Sequence, residues 1–289
     1  MKRFSNKFLA INIVGGVIMV SAAVTMVKQV FARPHVEVCT ERYGRILAMR
    51  LDKSGRPMEP AEFQAATNGL DRGVLENLKI NTLPRGPAAY AMAINVANAN
   101  ATELIPNGEA VADGVTFPWT PRANDKGATT ACLTYHVMLP AEYDFQAGST
   151  LPGIFGVTDG GSLSDINRVE TNILLSAQGV ATLRLYAKTA TGQSDTAVTL
   201  YDRQFPVGRW VKVEQEVIMN TPGKADGAVR LWFDDKLEVE VKAANLREQN
   251  DLVVAGVVGS ISRGRARGKE QPDNKPTVIQ VTPFELRVK

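Results

Sequence analysis

Hydrophobic and polar positions alternate most regularly between Phe205 and Val241. Val211, Val213, Gln215 and Val217 fall on one face, and Trp210, Lys212, Glu214 and Glu216 fall on the other. A period of two is the mark of a half-buried strand. Asn220-Thr221-Pro222-Gly223 and Asp226-Gly227 follow as turn chemistry, because proline fixes φ and glycine admits positive φ. A second arm carries Val229, Leu231 and Phe233, and the chain turns again at Asp234-Asp235-Lys236. A third arm sets Leu237, Val239 and Val241 against Glu238 and Glu240. The pattern predicts an antiparallel meander with one dry face and one face in water.

The same alternation marks Cys132–Met138, Val169–Leu175 and Thr182–Lys188 as strands. Short strands are predicted at 36–39, 45–49, 74–80 and 89–96, and a final one from Thr277 to Val288. A short helix is predicted over 60–66, where Pro60 occupies a first-turn position. Residues 98–126 read as loop, apart from the apolar run Val115-Thr116-Phe117. Many short strands with little helix predict an all-β sandwich or jelly roll. No proline- or serine-rich linker divides the chain after its first 30 residues, so residues 31–289 read as one domain.

Residues 8–27 carry no charge and are flanked by Lys2, Arg3, Lys7 and Lys28. A run of roughly 20 apolar residues spans a bilayer, whereas signal peptides carry shorter apolar regions. An uncleaved inner-membrane anchor over residues 1–30 is the first reading. A signal removed near Val30-Phe31-Ala32, with secretion of the rest, is the second. Basic residues before the run keep that end inside and place the large domain in the periplasm. In that compartment Cys39 and Cys132 either form one bridge or stay as two buried thiols. With a net charge of +3, nothing global demands a polyanionic partner. Arg263, Arg265, Arg267 and Lys269 alternate with small residues, which suits an anionic polymer if that stretch is extended. Behind an export signal the polymer is an acidic polysaccharide or a lipid headgroup rather than RNA. The competing reading is a flexible basic loop.

Several motifs occur together in order. They are Leu133-Thr134-Tyr135, Tyr143-Asp144-Phe145, Leu151-Pro152-Gly153-Ile154-Phe155-Gly156, Leu185-Tyr186 and Gly208-Arg209-Trp210, followed by Asn220-Thr221-Pro222-Gly223 and Asp226-Gly227. Over residues 131–258 this set resembles polysaccharide lyase family 14, whose members act on alginate and glucuronan-type uronic-acid polymers. The resemblance implies a concanavalin-A-like jelly-roll sandwich with a concave sheet as substrate groove, and β-elimination as the reaction. It also implies a lysine before the Leu-Pro-Gly turn, a serine and an arginine two apart on the next strand, and two tyrosines two apart on the strand after. Thr150 stands at the lysine position, Glu170 and Asn172 at the serine and arginine positions, and Arg184 at the first tyrosine position. Tyr186 alone agrees, and it is the candidate catalytic residue.

Independently of the family, Arg184, Tyr186 and Lys188 share one strand face, and Glu170 and Asn172 share the more polar face of the preceding strand. If the two strands pair, a cation–phenol–cation row faces an amide and a carboxylate. With Arg263 and Arg265 these residues form the candidate binding set for a uronate. An ordinary solvated sheet face is the competing reading. Glu214 with Glu216, and Glu238 with Glu240, are carboxylate pairs of the kind that glycoside hydrolysis uses, but two glutamates on a wet face need no such role. Asp159, Asp165 and Asp226 form no diagnostic calcium pattern, and no motif calls for a cofactor or another metal.

Overall fold

The structure is a computed structural model. It describes residues 36–67, 72–96, 114–121, 127–146, 148–158, 161, 167–188, 192–263 and 277–289, with backbone only at 201–203. The chain runs through β1 (Arg45–Ala48), β2 (Asp52–Lys53), β3 (Arg56–Pro57), α1 (Pro60–Thr67), α2 (Val74–Asn77), β4 (Leu78–Thr82), β5 (Tyr90–Asn95) and β6 (Gly114–Trp119). Next come β7 (Thr130–Met138), β8 (Ser149–Leu151), β9 (Gly153–Thr158), β10 (Arg168–Leu175), β11 (Val180–Lys188) and β12 (Gln193–Gln204). The last six are β13 (Trp210–Ile218), β14 (Gly227–Phe233), β15 (Lys236–Ala244), β16 (Leu252–Arg263), β17 (Val278–Val281) and β18 (Glu285–Val288).

Two antiparallel sheets hold nearly all of these strands. The larger is ordered β15-β14-β13-β7-β17-β5-β4, with β18 also on β7 and β1 on β18. The smaller is ordered β12-β11-β10-β8-β16-β6, with β9 between β10 and β16. Their inward faces meet in one core, where Leu133, Tyr135, Val137, Val211, Val213 and Val217 pack with Val169, Ile173, Leu175, Leu183 and Leu185. The fold is therefore the all-β sandwich that the alternation predicts, and β13–β15 form the expected meander.

A broken strand interrupts each sheet, and a proline stands at each break. In the smaller sheet Pro152 separates β8 from β9, since proline has no N–H to give to a ladder. Its freed carbonyl accepts from the Tyr135 hydroxyl at 3.1 Å and from Gln215 Nε2 at 3.4 Å, while Thr171 Oγ1 donates to Gln215 Oε1 at 3.0 Å. This buried polar knot ties one sheet to the other. In the larger sheet the predicted strand from Thr277 to Val288 is two strands. Thr282-Pro283-Phe284 separates β17, which pairs with β5 and β7, from β18, which pairs with β1 and β7.

The expected wet face of the meander is the main correction. Glu214 and Glu216 are wholly buried, because residues 39–43 lie across them. Thr40 Oγ1 donates to Glu214 at 2.7 Å, and Lys212 pairs with the same oxygen at 3.1 Å. Glu216 accepts from the Tyr43 hydroxyl at 2.6 Å and pairs with Arg42 at 2.9 Å and Arg230 at 2.6 Å. A disulfide joins Cys39 to Cys132, the cross-strand neighbour of Glu216, and anchors the cover. This settles the alternatives left open for the two cysteines. The glutamate pair expected at the surface is thus locked in ion pairs beneath the chain.

Smaller differences follow local chemistry. Residues 36–38 are not a strand, and Cys39–Glu41 is a turn of 3-10 helix. The strand expected over 74–80 begins as α2, following Gly73 at φ 79°, and becomes β4 only at Leu78. The apolar run at 115–117 is the middle of β6. Residues 8–27 lie outside the described residues. Among the described residues no helix is long and apolar enough to cross a membrane.

Candidate functional site

β10 and β11 pair in the register that the alternation requires. Glu170 stands opposite Tyr186, Asn172 opposite Arg184 and Arg168 opposite Lys188. Val169, Thr171, Ile173, Leu183, Leu185 and Ala187 point into the core, so the polar set lies on the outward face of the smaller sheet. β12 extends this face and brings Asp195 opposite Tyr186 and Gln193 opposite Lys188.

Tyr186 is the centre of the cluster and is partly exposed. The guanidinium carbon of Arg168 is 5.1 Å from its ring centroid, and that of Arg184 is 5.7 Å away. Both distances fall within the reach of cation–π attraction. The Tyr186 hydroxyl donates to Gln193 Oε1 at 3.3 Å. Each arginine also has a carboxylate. Arg168 Nε donates to Glu170 at 2.8 Å, and Arg184 grips both Asp195 oxygens at 2.9 and 2.6 Å. The fork holds Asp195 below the usual carboxylate range and raises Arg184, each because of its bond to the other. Both stay ionised over the working pH range.

Beside this row the face becomes apolar. Phe155 and Val157 of β9 stand opposite Glu170 and Arg168 and are buried with Val258. Asn172 is also buried, at 8% exposure. Thr150 lies opposite Leu174, in the next outward-facing row, where the family resemblance would place a lysine.

The predicted residues are thus brought together in part. Glu170, Asn172, Arg184, Tyr186 and Lys188 share one face across two paired strands. Arg263 does not join them as an exposed cation. It is 8% exposed at the end of β16, donates to Asp144 at 2.8 Å, and stands opposite Ser149, itself bonded to Tyr143. Burial raises Tyr143 above the ordinary tyrosine range. Arg265, Arg267 and Lys269 lie outside the described residues, as do Asp159 and Asp165. Asp226 is engaged by the Thr221 backbone N–H at 2.6 Å. Glu238 and Glu240 are taken up by Lys236 and by Arg230 with Lys242. Among the described residues no three His, Cys, Asp or Glu side chains are grouped to hold a metal ion.

Arg168, Gln193 and Asp195 complete the cluster and were not selected from the sequence. Arg168 stood in the alternation of β10 but outside the motif. Gln193 and Asp195 belong to β12, whose Asp195-Thr196-Ala197-Val198-Thr199-Leu200 run carries a period-two signal that could have placed them.

The face can do two things chemically. It can receive a carboxylate on its guanidinium groups, and it offers one phenol held between cations for proton transfer.

Comparison with known proteins bears on which of these applies. The family description Polysaccharide lyase 14 matches residues 88–264, a longer stretch than the motifs alone mark out. No curated protein matches the sequence. Among solved structures, the marine PL-14 alginate lyase from Aplysia kurodai superposes with a TM-score of 0.56 at 19% identity, covering 73% of this chain and 87% of that one. An endo-β-1,4-glucuronan lyase from the fungus Trichoderma reesei gives a TM-score of 0.57 at 10% identity, covering 86% and 96%. An alginate lyase from Chlorella virus gives 0.55 at 16%, covering 73% and 89%. These likenesses establish a shared fold.

Proposed function

The chain belongs to the polysaccharide lyase 14 family, and from that premise we propose that its sandwich binds a uronic-acid polysaccharide along the outward face of the smaller sheet. The observation that carries this reading is the stack of Arg168, Tyr186 and Arg184, with the ring partly exposed between two guanidinium groups. A uronate residue laid on it meets cations for its carboxylate, while the exposed Gln193 offers an amide partner for hydroxyls.

β-Elimination needs a group to neutralise the carboxylate, a base for the C5 proton and an acid for the leaving oxygen. Tyr186 is the residue placed to move the proton, and Lys188 beside it and the two arginines are the groups placed to neutralise charge. Thr150, Glu170, Asn172 and Arg184 stand where the family pattern has lysine, serine, arginine and tyrosine. Binding is therefore the primary activity, and turnover rests on Tyr186 alone.

The test is incubation with alginate and with glucuronan. Elimination leaves an unsaturated sugar that absorbs in the ultraviolet, and affinity electrophoresis measures binding separately. Retained binding with no absorbance makes the domain a binder, whereas absorbance that Tyr186→Phe abolishes makes it a lyase. Full activity in Tyr186→Phe removes that residue from the mechanism, and failure to bind either polymer ends the proposal.

One observation favours a second reading, a non-catalytic scaffold of an envelope or exopolysaccharide assembly. Arg168 and Arg184 are each neutralised within the face, by Glu170 and Asp195, so the row carries less free positive charge than its residue types imply. This reading gains if no polyuronate binds. The placement of the domain outside the inner membrane, held by residues 8–27, belongs with either reading. An intact N-terminus in the membrane fraction supports the anchor, and a soluble chain cut near Ala32 supports secretion instead.

A further inference from the structure

The larger sheet holds a cavity on its outward face, on the other side of the sandwich from Tyr186. Its cause is the break at Pro283. β17 runs along one end of β7 and β18 along the other, and between them Thr282-Pro283-Phe284 leaves the ladder. The chain stays attached at the gap through His136, whose N–H donates to Thr282 Oγ1 at 2.8 Å and whose carbonyl accepts from Thr282 N at 2.9 Å. A pocket of about 470 Å³ opens at this notch. That volume lies within the roughly 300–1,000 Å³ of small-molecule sites.

The pocket walls hold polar atoms that the protein leaves without partners. Thr134 is 8% exposed, and its hydroxyl has none. Arg287 Nε is likewise unpartnered, although its guanidinium pairs with Glu285 at 3.3 Å. Buried polar groups in folded proteins are nearly always satisfied, so two orphans in the walls of one cavity point to something that fills it.

The charges say what kind of ligand fits. Lys212 is paired with both Glu214 and Asp235, and Arg287 is paired with Glu285. His136 is held toward its neutral form by burial and by the Lys212 charge. With each of these charges already in an ion pair, the pocket offers neither an anion nor a cation a free partner. It does suit hydroxyl groups, each of which donates and accepts at once. Ala48 and Pro87, both exposed, add apolar surface against which the C–H face of a pyranose can lie. We propose that this notch binds a neutral sugar residue, with Thr134 and Arg287 meeting its hydroxyls.

The proposal does not depend on the Tyr186 face. The test is calorimetric titration of the full-length protein with methyl glucoside, mannoside and galactoside and with N-acetylglucosamine, using glucuronate and glycine as charged comparators. One neutral sugar is expected to bind with a Kd of about 1–10 mM. Thr134→Val should weaken it by about tenfold or more while leaving the thermal midpoint unchanged or higher, because the change also removes an unmet buried hydroxyl. Tyr186→Phe should leave it unaltered. Absence of binding by all four neutral sugars would mean that water alone fills the notch, and would overturn the proposal. So would equal binding by Thr134→Val, or a preference for glucuronate or glycine.

Discussion

A methyl group added at Gly153 would sit 1.5 Å from the Thr171 carbonyl oxygen, in the centre of the smaller sheet. β9 approaches β10 there across bare backbone, and no side chain can be relaxed out of the way. Gly153→Ala is expected to cost about 3 kcal/mol or more, read as a lowered denaturation midpoint. His136 makes a different prediction. Burial and Lys212 depress its pKa, while Asp234, Asp235 and Glu285 oppose the shift. Between the depressed folded value and about 6.5 the unfolded chain binds the extra proton, so stability falls as pH drops through that window. His136→Gln should flatten the fall as pH drops below about 6.5 in denaturant titrations. The sequence placed Tyr186, Arg184, Glu170 and Asn172 on one face because the period of two survives there unbroken. It could not reveal that Glu214 and Glu216 are covered, since their partners Thr40, Arg42 and Tyr43 lie some 174 residues away in the chain.

At the scale of elements, the segment 39–43 is a lid fixed by one covalent bond and three contacts to two glutamates. The disulfide closes a loop with a sequence separation of 93, which by chain entropy is worth about 4.6 kcal/mol. The double variant Cys39→Ser/Cys132→Ser should lose roughly that amount. Reductant should lower the denaturation midpoint of the parent but not of the variant. Elements were legible where apolar alternation ran long, as in β7, β10, β11 and β13. They were misread where a short-range device intervened. Gly73 starts a helical turn inside an apolar run, and Pro283 divides one apparent strand into two. β12 shows its period of two only near Val198 and Leu200, because Gln193–Ala197 is exposed on both faces and owes its strand character to pairing with β11.

For the whole molecule, the two outward faces differ in kind. The smaller sheet shows partly exposed arginines beside a phenol, and the larger buries its ions under added chain. Because Arg168 and Arg184 already have anions, a bound polyuronate displaces few counterions. Raising salt from about 50 to about 200 mM should therefore weaken binding by less than about tenfold, measured by affinity electrophoresis. Releasing the guanidinium with Asp195→Asn should strengthen binding and steepen that dependence. The sandwich itself followed from the sequence because its inward faces are regular. The functional faces followed less well, because what covers or neutralises a face comes from strands and loops far away in the chain.

The break at Pro283 has a consequence for how the polypeptide assembles during synthesis. β17 and β18 occupy interior positions, flanked by β7 on one side and by β5 and β1 on the other. The ribosome releases these staves after every neighbour they join, so the larger sheet stays parted until translation of residues 278–288 is done. Ribosome-stalled nascent chains ending near residue 270 should accordingly be open to protease, while chains extended past Val288 through the exit tunnel resist it.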